Sequence, residues 1–239
     1  MPGAVPVTEQ LQLEDAYLSC CEARVVGLDP EQSRVALDRS VFHATGGGQP
    51  SDTGRLGGRR VLAARDEGGV VWHELEGELP ALGALVEAEI DWERRYQLMR
   101  THTALHILCG VIWNEYAKAV TGGNMEPLSA RMDFEFDPLP EGFGARIEQR
   151  VNEEVARDRQ IVVAFLDKAA AGLDPALLRT KQNLVPPHIT RVRTIDIVGL
   201  DKQADGGTHV RSTSEVGRVR VVKTESKGKG NKRIRIALD

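Results

Sequence analysis

The chain has 239 residues, of which 41% are hydrophobic and 28% are charged, and its formal net charge is −4. This length suffices for one large domain or two modest ones, each with its own core. No run of about 18 apolar residues occurs, which argues against a membrane-spanning helix, and the N-terminus lacks the basic start of a signal peptide. The three cysteines are odd in number and unpatterned, which argues against a disulfide framework. We therefore expect a cytoplasmic protein without a membrane partner.

The first part of the chain is predicted to form a small β-barrel. Its apolar stretches are short and separated by Gly, Pro and Asp, which is typical of closely spaced strands. The expected strands are residues 22–27, 34–38, 60–64, 70–75 and 85–90. Asp91 is a good helix N-cap, and the pattern becomes helical after it. The sequence therefore predicts an N-terminal domain over residues 1–91 and a second domain over residues 92–239.

The second part is predicted to be α+β. An apolar stripe at helical spacing indicates a helix over residues 92–116. The stripe consists of Leu98, Leu105, Leu108, Cys109 and Ile112. A second helix is expected over residues 141–159, and the expected strands are residues 130–136, 161–167, 189–197, 216–223 and 233–238. Two long helices on an antiparallel sheet define the fold class of this domain.

Two pairs of side chains suggest a metal site in the second part. His102 and His106 are four residues apart on the first helix, so both imidazoles share one face and can bind one ion. Asp205 and His209 flank a Gly-Gly-Thr segment, and nitrogen and oxygen donors in this number suit zinc. Each pair alone is weak evidence, since such side chains are more often hydrogen-bonded or solvated. A metalloprotease is disfavoured because Thr103 stands where the His-Glu-x-x-His motif needs its glutamate.

Together, the two pairs resemble the signature of a known family. His102-x-x-x-His106 followed by Asp205-Gly-Gly-Thr-His209 is similar to the motif of the alanyl-tRNA editing proteins, the AlaX group. These proteins are related to the editing domain of alanyl-tRNA synthetase and to the second additional domain of threonyl-tRNA synthetase. Three other segments fit the resemblance in the family's order, namely residues 42–54, 120–134 and 223–236. One departure is the aspartate at position 205, where the family most often has cysteine.

The resemblance implies a trans-editing hydrolase that deacylates mischarged tRNA(Ala) and needs no nucleoside triphosphate. The implied substrates are chiefly seryl-tRNA(Ala) and secondarily glycyl-tRNA(Ala), and the implied cofactor is zinc. Its ligands would be His102, His106, Asp205 and His209. A hydroxyl of Thr121 could bond the serine side chain, and a site built for a hydroxyl rejects alanine. The oligomeric state stays open.

The resemblance also assigns further residues to the site. The catalytic group comprises Thr121, Asn124, Gly207 and Thr208. The substrate contacts comprise Thr45, Gln49, Leu105 and Gln203, with Asp52 also near the pocket. The three glycines before Gln49 do not form a phosphate loop, because no Lys-Ser or Lys-Thr follows at the required spacing. They are expected to lie in a loop of the barrel.

Basic residues are concentrated near the C-terminus. Residues 218–235 hold eight Lys or Arg against one acidic residue, Glu225, in a chain that is acidic as a whole. One interpretation is a phosphate-binding hairpin. Its tRNA contacts would be Lys227, Lys229, Lys232 and Arg233. The other interpretation is a solvated hairpin whose charges aid solubility.

Two alternative functions stay open from the sequence. A non-catalytic RNA-binding adaptor would keep the fold without a working metal site. An editor of another mischarged tRNA, such as seryl-tRNA(Thr), would use the same catalytic core. Metal content and deacylation separate the first alternative from an editing enzyme, and a panel of mischarged tRNAs separates the second. The chain is too short for a synthetase aminoacylation domain, so we do not expect it to charge tRNA itself.

Overall fold

Residues 4–167, 177, 179, 191–228 and 230–239 are described by a computed structural model of the chain. They combine two α-helices with several β-sheets, which confirms the expected mixed fold. The chain divides into two units, Met1–Tyr96 and Gln97–Asp239. The first unit ends shortly after Asp91, where the sequence takes on a helical pattern.

The first unit is built from short strands. In chain order they are β1 (Glu9–Gln10), β2 (Cys20–Asp29), β3 (Arg34–Leu37), β4 (Arg39–Ser40), β5 (Gly54–Leu56), β6 (Arg59–Glu67), β7 (Val70–Leu75) and β8 (Leu85–Ile90). Six of them pair antiparallel in the order β2-β3-β7-β6-β5-β8, and β8 pairs again with β2, so the pairing closes into a ring. β1 and β4 form a separate parallel pair. Each strand of the ring therefore has two neighbours.

The interior of the ring is filled by alternating side chains. In β8, Val86, Ala88 and Ile90 are buried and the residues between them are exposed, which is the period of a half-buried strand. Further apolar side chains of the same core are Val35, Leu37, Leu56, Val61 and Val71. The strands approach so closely that a Cβ on Gly54 would lie 2.1 Å from the carbonyl oxygen of Glu89. No larger residue fits at this position.

A buried ion pair fixes the loops of the first unit. Arg95 and Asp52 are both fully buried, and Arg95 Nε lies 2.9 Å from Asp52 Oδ1. The guanidinium also donates to the carbonyl oxygens of Ala16, at 2.9 Å, and Val41, at 2.6 Å. Asp52 accepts the backbone N–H of His43 at 2.6 Å. These contacts give Asp52 a structural role within this unit.

The second unit contains most of the first helix and the two remaining sheets. Its elements are α1 (Trp92–Tyr116), β9 (Val120–Glu126), β10 (Ser129–Glu135), α2 (Phe143–Ala156), β11 (Ile161–Asp167), β12 (Arg191–Ile197), β13 (Asp201–Ala204), β14 (Val219–Ser226) and β15 (Asn231–Leu238). One antiparallel sheet has the order β14-β15-β10-β9, and the other has the order β11-β12-β13. In the part of the chain that the structure describes, no helix is long and apolar enough to cross a membrane.

Helix α2 covers the outer edge of the four-stranded sheet. Asn152 accepts the N–H of Val219 at 3.0 Å and donates to the Val219 carbonyl at 2.7 Å, as a neighbouring strand would. Glu148, one helical turn earlier, accepts the N–H of Val221 at 2.8 Å. The spacing fits because four helical residues and two strand residues both rise about 6–7 Å. These side chains satisfy edge groups that could otherwise pair with another strand.

Most element positions agree with the sequence-based expectations, and the differences have local causes. The helix over 92–116 and the strand over 161–167 have the predicted bounds. The sequence does not predict β9, because Gly122 and Gly123 disfavour a strand. Helix α2 begins later than expected, since Gly142 has a φ of 67° and lies outside the helix, and it ends at Ala156, shortly before Asp158, whose φ is 51°. Residues 189–190 of one predicted strand lie outside the described residues.

The Arg95–Asp52 pair gives a stability prediction. Asp52→Ala leaves a buried guanidinium without its carboxylate, so the free energy of unfolding should fall by about 3–5 kcal/mol. The matched control is Glu76→Ala, which removes a pair with Arg60 whose side chains are 64% and 68% exposed. There the loss should be about 1 kcal/mol or less. Urea denaturation measures both variants, and equal losses would contradict the structural role of Asp52.

Candidate metal centre

Helix α1 carries the first pair of candidate ligands into the interior of the second unit. His102 and His106 are 4% and 6% exposed, and their ring centroids are 5.0 Å apart. The sequence predicts an apolar stripe with the histidines beside it, whereas residues 101–112 are all buried. A helix buried all round holds its side chains more firmly than one with a solvent-facing side. Both imidazoles are therefore shielded from bulk water.

The loop after β13 carries the second pair to the same place. The ring centroid of His209 lies 4.4 Å from that of His102 and 4.6 Å from that of His106. His209 Nε2 is 2.9 Å from Asp205 Oδ1, and His102 Nε2 is 3.7 Å from Asp205 Oδ2. One donor atom from each of the four residues lies within 4.8 Å of the others. The two halves of the motif converge at one point.

These four side chains fit a metal ion of the zinc type. In a tetrahedral site with bonds of about 2.0–2.1 Å, neighbouring ligand atoms are roughly 3.4 Å apart. The 2.9 Å and 3.7 Å distances to the Asp205 oxygens lie on either side of that spacing. Three imidazoles and one carboxylate also form a donor set that zinc accepts. The group could therefore hold a metal ion with aspartate in the place of cysteine.

The environment favours the protonation states that a metal requires. Burial lowers the pKa of His106 to about 4, so its imidazole is neutral at neutral pH and keeps a lone pair on one ring nitrogen. Burial and the neighbouring histidines also hold the pKa of His209 well below its usual value. Burial alone would raise the pKa of Asp205, but His102 and the hydrogen bond from His209 hold that pKa well below its usual range. Metal ligands must be deprotonated in this way.

Thr103 supports His209 on the side away from the other ligands. Its Oγ1 is 3.1 Å from His209 Nδ1 and accepts the N–H of Val210 at 3.4 Å. A hydroxyl can accept from Nδ1–H or donate to Nδ1, so it serves either tautomer of the ring. Metal-binding histidines usually donate the N–H of their second ring nitrogen to such a partner. Sequence reasoning used Thr103 only to exclude a metalloprotease and missed this contact.

Arg193 of β12 is a second residue that sequence reasoning missed. It is 7% exposed, and its Nη1 donates to the carbonyl oxygens of Asp205, at 3.0 Å, and Gly207, at 2.8 Å. The N–H of Gly207 donates in turn to Asp205 Oδ1 at 2.9 Å. No local pattern marks Arg193, because its partners lie 12 and 14 residues further along the chain.

Four other expected site residues lie on the segments that carry the ligands. Leu105 is buried on α1. Gly207 and Thr208 are buried in residues 205–209, which we call the ligand-bearing loop. Gln203 of β13 donates its side-chain amide to Asp201 Oδ2 at 2.5 Å. Their roles in substrate binding and catalysis stay predictions.

Thr121 and Asn124 lie on β9. Thr121 Oγ1 donates to Asn231 Oδ1 at 3.0 Å, and the pairing of β9 with β10 skips Thr121 at a bulge. Asn124 is exposed and pairs with Arg131 of β10. These contacts are with the four-stranded sheet, and the catalytic role of both residues stays a prediction.

Thr45 and Gln49 lie in the first unit, in the glycine-rich loop. Gly46 and Gln49 exchange backbone hydrogen bonds of 3.1 and 2.9 Å, which close a tight turn. Gln49 is fully buried, whereas Thr45 is exposed and accepts the N–H of Ser51 at 3.2 Å. Contact of these residues with the substrate stays a prediction.

The hairpin of β14 and β15 is less basic than its sequence suggests. Arg233 donates to Asp133 through two hydrogen bonds of 2.8 and 2.7 Å, and both side chains are about nine-tenths buried. Arg235 and Lys223 both pair with Glu225. The charge of Arg233 is thus neutralised inside the sheet, which favours a structural role over the expected contact with phosphate.

The other expected tRNA contacts surround the turn of the same hairpin. Lys227 is exposed, and Lys232 donates to Ser226 Oγ at 3.1 Å. Among the described residues, neither lysine has a carboxylate partner. Lys229 lies outside the described residues.

Comparisons with known proteins identify the family of the chain. The family described as "Threonyl and Alanyl tRNA synthetase second additional domain" matches residues 192–235, which include Asp205 and His209. The chain is 37% identical to the alanyl-tRNA editing protein AlaX-M of Saccharolobus solfataricus, over 95% of this chain and 98% of that protein. The chain belongs to the AlaX-M family of alanyl-tRNA editing proteins. This membership confirms the resemblance that the two ligand pairs suggested.

Other relatives place the match within a wider group. An AlaX-M protein of Methanosarcina barkeri is 34% identical over 97% of this chain and 99% of its own length. The alanine–tRNA ligase of Pyrobaculum calidifontis is 36% identical over 92% of this chain but only 26% of its own length. The chain is therefore similar to only one part of that much longer ligase.

The four converging donors predict a bound metal in the purified protein. Elemental analysis without chelator or affinity tag should find about one zinc-type ion per chain, because the four donor atoms lie within 4.8 Å of one another and can bind only a single ion. His106→Ala should lose most of it, since three donors remain. His188→Ala, at a histidine outside both motif halves, is the control and should keep it. A fully active protein without a transition metal would refute the assignment.

Proposed function

We propose that this AlaX-M protein is a zinc-dependent hydrolase that deacylates mischarged tRNA(Ala), chiefly seryl-tRNA(Ala) and secondarily glycyl-tRNA(Ala). The observation that carries the proposal is the convergence of four donor atoms within 4.8 Å of one another. Its relatives are named alanyl-tRNA editing proteins, which supports tRNA(Ala) as the substrate. We assign the editing role to residues 92–239 and the glycine-rich loop to residues 1–91.

Hydrolysis of an aminoacyl ester has modest chemical needs. A water molecule must attack the carbonyl carbon, the charge on the carbonyl oxygen must be stabilised, and the 3′-terminal adenosine must be held in place. A zinc ion bound by the four ligands would supply Lewis acidity for this reaction. The contribution of the chain is to hold the ligands away from bulk water, and the burial of His102, His106 and His209 serves this purpose.

Gly206 lies on the solvent-exposed side of the ligand-bearing loop. It is exposed, and a Cβ added to it would meet nothing within 4 Å. A substrate can approach the loop between Asp205 and His209 from this side, because glycine lets the backbone come close to a ligand. We propose catalytic roles for Gly207 and Thr208, which follow Gly206 in the chain, and for Asn124 of β9.

Selectivity requires a group that recognises the serine hydroxyl, and we assign this role to Thr121. Its hydroxyl donates to Asn231, which leaves the oxygen able to accept a hydrogen bond from serine. It is the extra residue of a β-bulge between Val120 and Gly122, and bulges often re-aim side chains near functional sites. Alanine would leave this acceptor unpaired. The further substrate contacts that we propose are Thr45, Gln49, Leu105 and Gln203.

We expect the proposed selectivity to appear directly in deacylation rates. Seryl-tRNA(Ala) should be hydrolysed at least about a hundredfold faster than alanyl-tRNA(Ala), because a site that bonds a hydroxyl strongly rejects a substrate without one. Initial rates on both substrates, with seryl-tRNA(Thr) and glycyl-tRNA(Ala) as additional arms, measure the preference. A chelator should abolish the activity.

The outcomes of this assay separate the candidate functions. Equal rates on seryl- and alanyl-tRNA(Ala) would mean a general aminoacyl esterase and would refute editing. Preference for seryl-tRNA(Thr) would assign the protein to a different tRNA. No hydrolysis by metal-loaded protein would favour the RNA-binding adaptor.

The tip of the β14–β15 hairpin gives a prediction about tRNA binding. Replacing Lys227, Lys229 and Lys232 by alanine should weaken tRNA binding and flatten its salt dependence by about one unit of slope per lost phosphate contact. Lys223→Ala is the matched control, because Lys223 is on the same hairpin but pairs with Glu225 at 3.2 Å. Filter binding at several salt concentrations measures both. If affinity and slope match the wild type, this hairpin does not contact tRNA.

A further inference from the structure

The buried guanidinium of Arg193 is hydrogen-bonded to the loop that carries Asp205 and His209. Nη1 of Arg193 donates to the carbonyl oxygens of Asp205 and Gly207, the two residues that flank Gly206. The N–H of Asp205 donates back to the carbonyl oxygen of Arg193 at 3.1 Å. Three hydrogen bonds thus join a single residue of β12 to this loop. Arg193 is 7% exposed, so water has little access to these bonds.

The loop needs such a support because of its sequence. Two adjacent glycines and a threonine separate Asp205 from His209, and glycine has the greatest conformational freedom of all residues. These two ligands lie in a loop, so they lack the continuous helical hydrogen bonds that fix His102 and His106 on α1. A donor that bridges the carbonyls on both sides of Gly206 sets the distance across the most flexible point of the loop.

Burying an arginine at this position is unfavourable in free energy, because the guanidinium is charged. Burial lowers the pKa of Arg193, and the nearby Asp205 carboxylate partly offsets this effect. A neutral donor would satisfy the carbonyls without the cost of burying a charge. A guanidinium also places a fixed positive charge beside the carboxylate of Asp205, so it orders the loop and balances its anionic ligand at the same time.

We propose that Arg193 is a positioning residue for the metal centre, which holds Asp205 and His209 in ligand geometry without contacting the substrate. This inference rests on the proposed metal site, because its effect passes through the two ligands. It predicts a loss of metal affinity when the guanidinium is replaced, even in protein that folds normally. A purely structural arginine would change stability and leave metal affinity unaltered.

The experiment compares Arg193→Gln and Arg193→Lys with the control Arg191→Gln. Arg191 lies on the same strand and stacks on Phe165, with its Cζ 4.8 Å from the ring centroid. Zinc affinity is measured by competition with a chromophoric chelator, and the unfolding of the metal-free proteins is measured separately. Arg193→Gln should bind zinc about 10- to 100-fold more weakly, which is typical when an outer partner of a metal ligand is removed. Arg193→Lys keeps the charge but loses the planar fork, so its affinity should be intermediate.

Activity provides a second readout. At saturating zinc, kcat of Arg193→Gln on seryl-tRNA(Ala) should fall while KM for the tRNA stays close to that of Arg191→Gln, because the tRNA contacts assigned above are on another hairpin. A zinc affinity of Arg193→Gln equal to that of Arg191→Gln would overturn the inference, whatever its stability. If Arg193→Gln does not fold, Arg193→Lys decides, and an affinity equal to the control overturns the inference in the same way.

The wild-type protein distinguishes this inference from the proposed function. Wild type that binds zinc but hydrolyses no mischarged tRNA refutes the editing activity, and the role of Arg193 is then decided by zinc affinity alone. Wild type that binds no zinc refutes both.

Discussion

The Asp205 carboxylate lies between two imidazoles, with His209 Nε2 at 2.9 Å from one oxygen and His102 Nε2 at 3.7 Å from the other. A largely buried anion in this position must be compensated, because isolated charges are costly away from water. The neighbouring histidines, the Gly207 N–H and the nearby Arg193 all contribute to its compensation. A divalent cation at the point where the four donors meet would compensate it most completely. Helix α1, strand β12 and the ligand-bearing loop each place a group near this carboxylate, and together these groups stabilise its negative charge.

The two halves of the centre are held by different physical means. His102 and His106 take their positions from residues 101–112 of α1, which are all buried, so the hydrogen bonds of the helix and the packing around it limit their movement. Asp205 and His209 lie in a glycine-containing loop, and specific hydrogen bonds from Arg193 and Thr103 take the place of packing there. A site assembled in this way should be most sensitive to change on the loop side. Ligand geometry on rigid elements is in general more precise than on loops, unless a second layer of contacts supports them.

The sequence predicts the ligands better than it predicts their supports. The bounds of α1 follow from Asp91 and from the apolar stripe, and the ligand pairs follow from helical spacing and a short motif. These are local signals. Arg193 has no such signal, because its function depends on a hydrogen-bonded approach of β12 to the loop that only the folded chain shows. The same holds for the basic C-terminal segment, where the pairing of Arg233 with Asp133 brings together residues 100 positions apart and cancels a charge that composition counts as exposed.

Aspartate at position 205 does more than replace the cysteine that the family resemblance leads one to expect. A thiolate offers one large donor atom with a bond to zinc of about 2.3 Å, whereas a carboxylate offers two oxygens that bind at about 2.0–2.2 Å. Here the two oxygens have different neighbours. Oδ1 accepts the N–H of Gly207 and contacts His209, while Oδ2 faces His102. In the proposed centre, one oxygen of this side chain orders its own loop while the other can face the metal ion, whereas a thiolate would have to perform both tasks with its single sulfur. Asp205 and Arg193 therefore belong to one arrangement, in which hydrogen bonds from the guanidinium hold the glycine-containing loop so that the carboxylate of the proposed ligand lies close to His102 and His209.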